Sequence, residues 1–409
     1  MLSAVAIGVC GLALLALASL AILNNNPAVA AQTAEVLRHV IGEENVARLE
    51  TWVLGWQDTL TGLVFDAGGD QPRAPWPTAT PAPSASPLAR PTPTLPPNST
   101  QSGPPPTARP TASPPPITPT AAPTALSNQP ALLKPFGHLP GEGAWSVYLT
   151  DSDGKPVAYR TFLQPDPQRP YAVAAIVALD LTATRLHFVL GTLEPASPEQ
   201  MDRPGRIPSA DLKSGLLLAA FNGGFKAEHG LFGAAVNGKV VLAPRDGLGT
   251  VAMYDDGHVA LGPWGNDGNP GEVYWANGLR NWRQNGPLIV QQGQVNPHTA
   301  DDAPQDWGYT VKSDTATWRS GVGLSADGNT LYYLAGPSLT LPVLATAMAD
   351  TGANNGIQLD INAYWVDFEA IHPNGDGLFA QPLLDGMKDD SRYLHTFERD
   401  FFYLTLNSN

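Results

Sequence analysis

Only one cysteine, Cys10, occurs in 409 residues, so no internal disulfide is available. Basic residues are scarce as well: 23 Lys and Arg stand against 37 Asp and Glu, a formal net charge of -14. A phosphate backbone calls for a basic face, which excludes nucleic acid as the expected partner. The chain has no Walker-type phosphate loop, no Cys/His group with zinc spacing and no internal repeat, so neither a metal nor a cofactor is expected. Lack of bridges does not argue against export, because the last stretch of about 280 residues can bury an ample core without them.

Long uncharged apolar runs are missing too, except at the start. Leu2 to Leu23 carries no charge and has roughly the ~20 residues that a membrane-spanning helix needs. No Lys or Arg precedes it, so flanking charge does not set its orientation. Residues 1–24 are expected to be a transmembrane anchor or uncleaved signal. The alternative is cleavage after Ala28-Val29-Ala30, which would release a secreted chain. Cys10 follows Val9, where a lipoprotein signal wants a small residue, so lipid attachment is not expected.

Val36, Leu37, Val40 and Ile41, then Val46, Leu49, Val53, Trp56, Leu60 and Leu63, recur at three- and four-residue steps. This spacing predicts an amphipathic juxtamembrane helix over 33–66. Its charges are mostly acidic (Glu35, Glu43, Glu44, Glu50, Asp58), so attraction to anionic lipid is not its reason. Composition then changes completely over 71–130, which holds twenty of the 41 prolines, three arginines and no acid. Such a chain lacks the backbone donors for a sheet and the apolar content for a core. A disordered, semi-rigid Pro/Thr/Ser-rich linker is expected there, with Asn98-Ser99-Thr100 as a sequon. Anchor and linker together predict a single-pass membrane protein with an extracytoplasmic globular domain at 131–409.

Within 131–409, Tyr171–Leu179 and His187–Leu190 read as strands, and Asp153-Gly154, Asp256-Gly257 and Asp327-Gly328 read as hairpin turns. A helix is expected over Leu341–Thr351, capped by Thr340 and closed by Gly352, with a second short one around Ser209–Ser214. Many strands and few helices give an α+β class with mixed or antiparallel sheets. The stretch 266–272 reads as a tight turn, because its spacing departs from a calcium loop.

The most telling segment is Leu216–Gly224, where an apolar run ends in Asn222-Gly223-Gly224. Two glycines permit close backbone approach, so the Asn222 amide can stand at a strand end beside a ligand. Phe221–Phe225 is followed by Gly233–Val240, then by Asn285-Gly286-Pro287-Leu288-Ile289-Val290 with Gly293. Trp318-Arg319-Ser320-Gly321-Val322-Gly323 comes next, and Leu339–Pro342 leads through the capped helix to Gln358-Leu359-Asp360. This ordered set resembles the phosphodiester glycosidase family, which includes the enzyme that uncovers mannose 6-phosphate. Bacterial relatives are often labelled exopolysaccharide biosynthesis proteins. The resemblance covers about Leu216–Asp360. Members usually follow Leu-Asp with a glycine run and a Ser, whereas Ile361-Asn362-Ala363-Tyr364-Trp365 stands here. Asn362 and Tyr364 are expected to donate side-chain hydrogen bonds in place of that anion nest.

The resemblance implies hydrolysis of a sugar-1-phosphodiester, which needs charge handled at the anomeric carbon and at the phosphate. A carboxylate stabilises or attacks the oxocarbenium-like centre, and Asp360 is expected in that role. Arg319 offers a planar fork for phosphate oxygens. Asn222, with Gly223 and Gly224, would hold a sugar hydroxyl or phosphate oxygen. Glu228 and His229 are candidates for activating water, and Trp282 and Trp365 for stacking on a sugar. Two functions follow from these residues. One is a membrane-tethered phosphodiester glycosidase acting on envelope or extracellular glycans. The other is a non-catalytic glycan-binding or envelope-organising surface module on the same scaffold.

Overall fold

A computed structural model describes residues 27–69, 71–76, 129–198, 200–265, 268–269, 271–301, 304–307, 312–375, 377–388 and 391–407. The expected anchor at 1–24, Cys10, Asn98 and nearly all of the linker lie outside these residues. The three Asp-Gly pairs each close a hairpin, between strands ending at Thr150, Tyr254 and Ser325 and strands beginning at Pro156, Val259 and Thr330. Gly154, Gly257 and Gly328 take the positive φ that these turns require.

Among the described residues eighteen strands form three sheets, and every ladder between them is antiparallel. The large sheet has eight strands, with Thr317–Ser325 between Thr330–Leu339 and Ala353–Ile361 near its middle. A C-terminal sheet of five strands sets Leu217–Asn222 between Phe368–Asn374 and Phe401–Leu406. A third sheet, also of five strands, has Leu279–Gln284 at its centre. The expected α+β class thus resolves to a mostly β protein with few helices.

Phe221 packs on Tyr333, Phe368 and Phe402, with ring centroids 5.1, 5.9 and 5.3 Å away. These rings come from the large sheet and two strands of the C-terminal sheet, so the core joins the two sheets at the residue before Asn222. Burying one such ring contributes about 1.5–3 kcal/mol. The predicted Leu341–Thr351 helix forms over Leu341–Asp350, with Val343 N donating to the Thr340 hydroxyl at 3.4 Å and Gly352 at φ 86°. It lies close on the large sheet because Gly323 has no side chain: a Cβ there would stand 2.6 Å from Met348 Sδ. Residues 209–214 form turns rather than a helix. Six residues seldom repay helix nucleation, and the Asp211 carboxylate is taken by the Tyr403 hydroxyl at 2.7 Å.

Residues 33–66 do not make one helix. Gly42, at φ 84°, divides them into α1 (Pro27–Ile41) and α2 (Glu43–Asp66), which pack as a hairpin. Ala28-Val29-Ala30 falls within α1. Among the described residues no helix is long and apolar enough to cross a membrane. The hairpin docks on the β domain: Asp58 on α2 receives Arg169 Nε at 3.0 and 2.9 Å and the Tyr171 hydroxyl at 2.7 Å, and Phe65 meets the Tyr171 ring. Trp76 then packs on Phe162, with the Arg160 guanidinium 4.4 Å from its ring. Trp145 Nε1 donates to Ala131 O at 2.8 Å. Trp76 and Ala131 are thus both held at one edge of the large sheet, by Phe162 and by Trp145, the residue before the edge strand Ser146–Thr150.

Candidate active site

Asn222 sits where the strand Leu217–Asn222 meets the large sheet, and its amide is spent inside the protein. Nδ2 donates to Gly223 O at 2.9 Å and to Ser320 Oγ at 3.0 Å, while Oδ1 accepts from the Tyr333 hydroxyl at 2.9 Å and Asp367 N at 3.2 Å. The expected ligand-holding role therefore does not fit: a group with no spare donor or acceptor braces the sheets. Ser320 continues the brace, its Oγ meeting both Asp360 N and Asp360 O at 3.2 Å. Asn285, from the second motif, does similar work, donating to Gln358 O and Leu359 O at 2.6 Å each and accepting from Phe225 N at 2.9 Å. The motif segments thus converge on the end of the strand that carries Asp360.

Asp360 is 5% exposed. Its Oδ1 accepts from Ile361 N at 2.8 Å, and its Oδ2 is paired with Arg399 Nη2 at 2.6 Å. Burial pushes the carboxyl up to about 6; Arg399 and the Ile361 amide oppose the rise, and the Asp400 charge adds to it. Arg399 lies in the segment before the final strand, donates to Gly224 O at 2.8 Å, and places its guanidinium 4.5 Å from the centre of the Trp365 ring. Its Nε is buried without a partner. Beside it, Asp400 Oδ2 pairs with Arg283 Nε at 2.8 Å, and Asp400 Oδ1 is also buried and unpartnered. Gly223 and Gly224 are required here by space, since a Cβ on Gly224 would stand 2.7 Å from Asn285 Oδ1 and one on Gly223 would run into Asp400. The result is a buried charge cluster of Asp360, Arg399, Asp400 and Arg283 where strands of the three sheets meet.

The other predicted residues divide sharply. His229 belongs to the cluster's surroundings: burial, with the Arg38, Arg399 and Lys226 charges acting in the same direction, holds its imidazole down at about 3. It is neutral near pH 7, and its Nε2 has no hydrogen-bond partner, with Glu228 Oε1 at 3.6 Å. Glu228 itself is turned outward, its side chain 47% exposed and hydrogen-bonded to Lys226 Nζ, so it is poorly placed to activate a buried water. Trp365 is partly buried beside Arg399, in edge contact with Tyr364 at 4.5 Å. Asn362 adopts φ 87°, the left-handed conformation that glycine would supply at lowest cost, and its Oδ1 caps Tyr364 N at 2.8 Å. The Tyr364 carbonyl is held by Arg392 Nη1 at 2.8 Å.

Arg319 and Trp282 are not ligand groups. Every nitrogen of Arg319 is engaged: Nε to Leu339 O, Nη1 to Gln358 Oε1, and Nη2 to Lys312 O and Thr315 O, at 2.6–3.1 Å. Sealed at 1% exposure, with desolvation pushing it down to about 9, it ties the 312–315 segment to the sheet and cannot grip a phosphate. Trp282 is 1% exposed and packed between Trp264 and Trp275 at 4.8 and 5.8 Å, a core position with no face for a sugar.

The α1–α2 hairpin closes one side of this cluster. Leu54 on α2 packs in a cluster with Phe225, which follows the glycine pair, with Ile361, which follows Asp360, and with Phe232. Arg399 and Asp400 share the burial of Asp360, at 5% and 2% exposure. A cavity of about 610 Å³ exists elsewhere, lined by Lys134, Phe136, Val295, Thr346 and Asp350, and touches none of these groups. Among the described residues no three His, Cys, Asp or Glu side chains gather as a metal site. Sequence reasoning missed Arg399, Asp400 and Arg283. The one signal for the first two was a charged pair, Arg399-Asp400, abutting the apolar Phe401–Leu404.

Residues 217–360 match the family described as phosphodiester glycosidase (NAGPA). No curated protein matches the chain. Among solved structures, it is similar to the catalytic domain of zebrafish N-acetylglucosamine-1-phosphodiester alpha-N-acetylglucosaminidase, auto-inhibited by its pro-peptide. That likeness has 15% identity and a TM-score of 0.38, over 65% of this chain and 88% of the other. A protein from Synechocystis aligns at 11% identity and TM-score 0.30, over 58% of this chain and 59% of its own. An exported protein from Burkholderia pseudomallei aligns at 11% and 0.32, over 58% and 74%.

Proposed function

We propose, for a chain whose residues 217–360 belong to the phosphodiester glycosidase family and make it a hydrolase of the glycosidase class, that Asp360 and Arg399 hydrolyse a sugar-1-phosphodiester. The observation that carries this reading is the Asp360–Arg399 pair at 2.6 Å, buried among the converging motif segments. Asp360 faces the anomeric carbon as carboxylate, stabilising positive charge there as the bond to phosphate lengthens. Arg399 neutralises the phosphate oxygen on which the electron pair collects, through the fork not already spent on Asp360 and Gly224. Water supplies the new bond to carbon, and its proton passes to the Asp360 carboxylate and on to solvent. With its carboxyl raised to about 6, Asp360 is ionised at neutral pH yet basic enough for that transfer. Neutral His229, with its free Nε2, orients a sugar hydroxyl or the water.

The cluster as it stands is shut, with Asp360 at 5% exposure and Leu54 packed beside it. The hairpin is therefore read as a cover that must move before substrate enters. The uncharged run Leu2–Leu23 tethers the protein to a membrane, with the β domain on the extracytoplasmic side and envelope or extracellular glycans as substrate. The test uses the full chain in detergent, before and after protease cleavage in 77–128, on a panel of nucleoside-diphosphate sugars and sugar-1-phosphodiesters. Free sugar released by wild type, and lost in Asp360→Asn and Arg399→Lys, supports the enzyme. No release by folded, cleaved protein on any diester turns the reading to a glycan-binding surface module.

A further inference from the structure

The two faces of α2 differ, and only one is covered. At about 100° per residue, Leu54, Asp58, Gly62 and Phe65 fall on a single side of the helix, and these are the positions that meet the β domain. Leu49, Trp52, Trp56, Leu60 and Leu63 fall on the opposite side, in one stripe about 21 Å long. They are 42%, 56%, 52%, 48% and 60% exposed. Trp52 and Trp56 meet edge to face at 6.3 Å, giving the stripe an aromatic centre. A contiguous apolar stripe of this length on a helix is expected to be covered.

From this stripe we infer that the outer face of α2 lies in the interface of a lipid bilayer. The chain itself says what covers it. The uncharged run Leu2–Leu23 is separated from the first residue of α1 by Asn24-Asn25-Asn26 alone. Three residues reach at most about 10 Å, so wherever that run is embedded, the hairpin is held against the same surface. Folding the run back on the stripe would satisfy one side of it and leave the rest of an all-round apolar segment in water. A bilayer covers both. Indole rings favour the headgroup boundary, and the two tryptophans sit mid-stripe. The helix carries mostly acidic charge, with Arg48 paired to Glu44, so insertion draws on apolar area rather than on attraction to anionic headgroups.

This inference rests on the tether proposed above, and the test separates the two. Full-length chain carrying Cys10→Ser is reconstituted in phosphatidylcholine vesicles with one nitroxide-labelled cysteine, at Trp56→Cys, Leu60→Cys or Thr61→Cys. Thr61 is exposed but lies off the stripe. The expected result is co-flotation with vesicles, with labels at 56 and 60 several-fold more accessible to oxygen than to an aqueous nickel complex, and the reverse at 61. Co-flotation with aqueous labels at all three positions overturns the inference while leaving the tether intact. Spin–spin broadening at 56 that vanishes on dilution with unlabelled chain assigns the stripe to a second copy and also overturns it. Failure to float removes the tether and the inference together.

Discussion

Around Arg319 every neighbour in hydrogen-bond contact is a backbone carbonyl or the Gln358 amide oxygen. Around Arg399 one neighbour is a carboxylate, another is an indole face, and its Nε has no partner. Both guanidiniums are buried, but their charge is treated in opposite ways. Burial without a bonded carboxylate pushes Arg319 down, whereas Asp360, Asp400 and Glu194 together raise Arg399. An arginine saturated by carbonyls is a brace, and one shared between a carboxylate and an unfilled direction can act on a ligand. The recognisable Trp318–Gly323 segment carries the brace, while the residue able to handle charge lies beyond the family match, which ends at 360.

The hardest blow to this contrast would come from Asp360→Asn, which keeps the shape and removes the charge facing Arg399. Sugar release is expected to fall on the order of 10³-fold or more, and near-normal turnover would move the chemistry elsewhere. Paired lysine substitutions sharpen it next. Arg399→Lys keeps a positive charge but loses the fork, and kcat should drop about 100-fold with a smaller loss of stability. Arg319→Lys should instead cost about 3 kcal/mol or more in urea unfolding, because one ammonium cannot serve four acceptors, while the folded fraction keeps its kcat. Equal kinetic damage from both would erase the distinction.

Acidity gives a subtler handle. If Asp360 works as a carboxylate, kcat/KM should fall as pH drops through about 6, its raised value in the fold. Asp400 raises that value, so Asp400→Asn should move the acid limb to lower pH, and a shift upward would contradict the arrangement. Stability has its own sign. A carboxyl raised by folding contributes stability that is complete below the ordinary range near 3.8 and lost as pH rises through about 6. His229 and His187, held down at about 3 and about 4, work the other way, losing their contribution as pH falls from 6.5. The wild-type minus Asp360→Asn difference in unfolding free energy isolates the first effect, and it should shrink between pH 4 and pH 6.

The cover can be lifted without touching either arginine. Cleavage within 77–128 leaves the hairpin held by Asp58, Phe65 and Leu54 rather than by the chain, and turnover should rise several-fold in the cleaved protein carrying Asp58→Ala. That variant removes the partner of Arg169 and Tyr171. Unchanged turnover would mean that substrate reaches Asp360 by another side.

What the sequence disclosed followed from local chemistry. Asp-Gly turns and the Thr340 cap each state a backbone requirement within a few residues, and each formed where expected. The order of the segments that carry Asn222, Asn285, Ser320 and Asp360 was legible in the sequence, but the contacts that join those segments were not. Long-range partners were not. Nothing near Arg399 announces that it meets a carboxylate 39 residues earlier, and nothing in Arg319 reveals that four acceptors await it. Gly42 splits the 33–66 pattern because apolar spacing alone does not register a helix break. Nor does a proline-rich composition reveal that its flanks, Trp76 and Ala131, return to one sheet.

The smallest expected effect concerns Trp282, and it tests whether proximity to a motif implies contact with a ligand. Its ring lies between Trp264 and Trp275 on the third sheet, opposite Ala235 and Ala252 in the ladders. Arg283, the next residue, is the one whose side chain reaches Asp400. Successive strand residues point to opposite faces, so one side of this strand feeds the charge cluster and the other feeds the core. Trp282→Phe trades one buried ring for a smaller one, and its indole nitrogen has no partner to lose. A cost of about 1–2 kcal/mol in unfolding with KM and kcat unchanged is therefore expected. A raised KM with unaltered stability would instead mean that sugars bind on the far face of the third sheet, and that the site extends beyond the Asp360–Arg399 cluster.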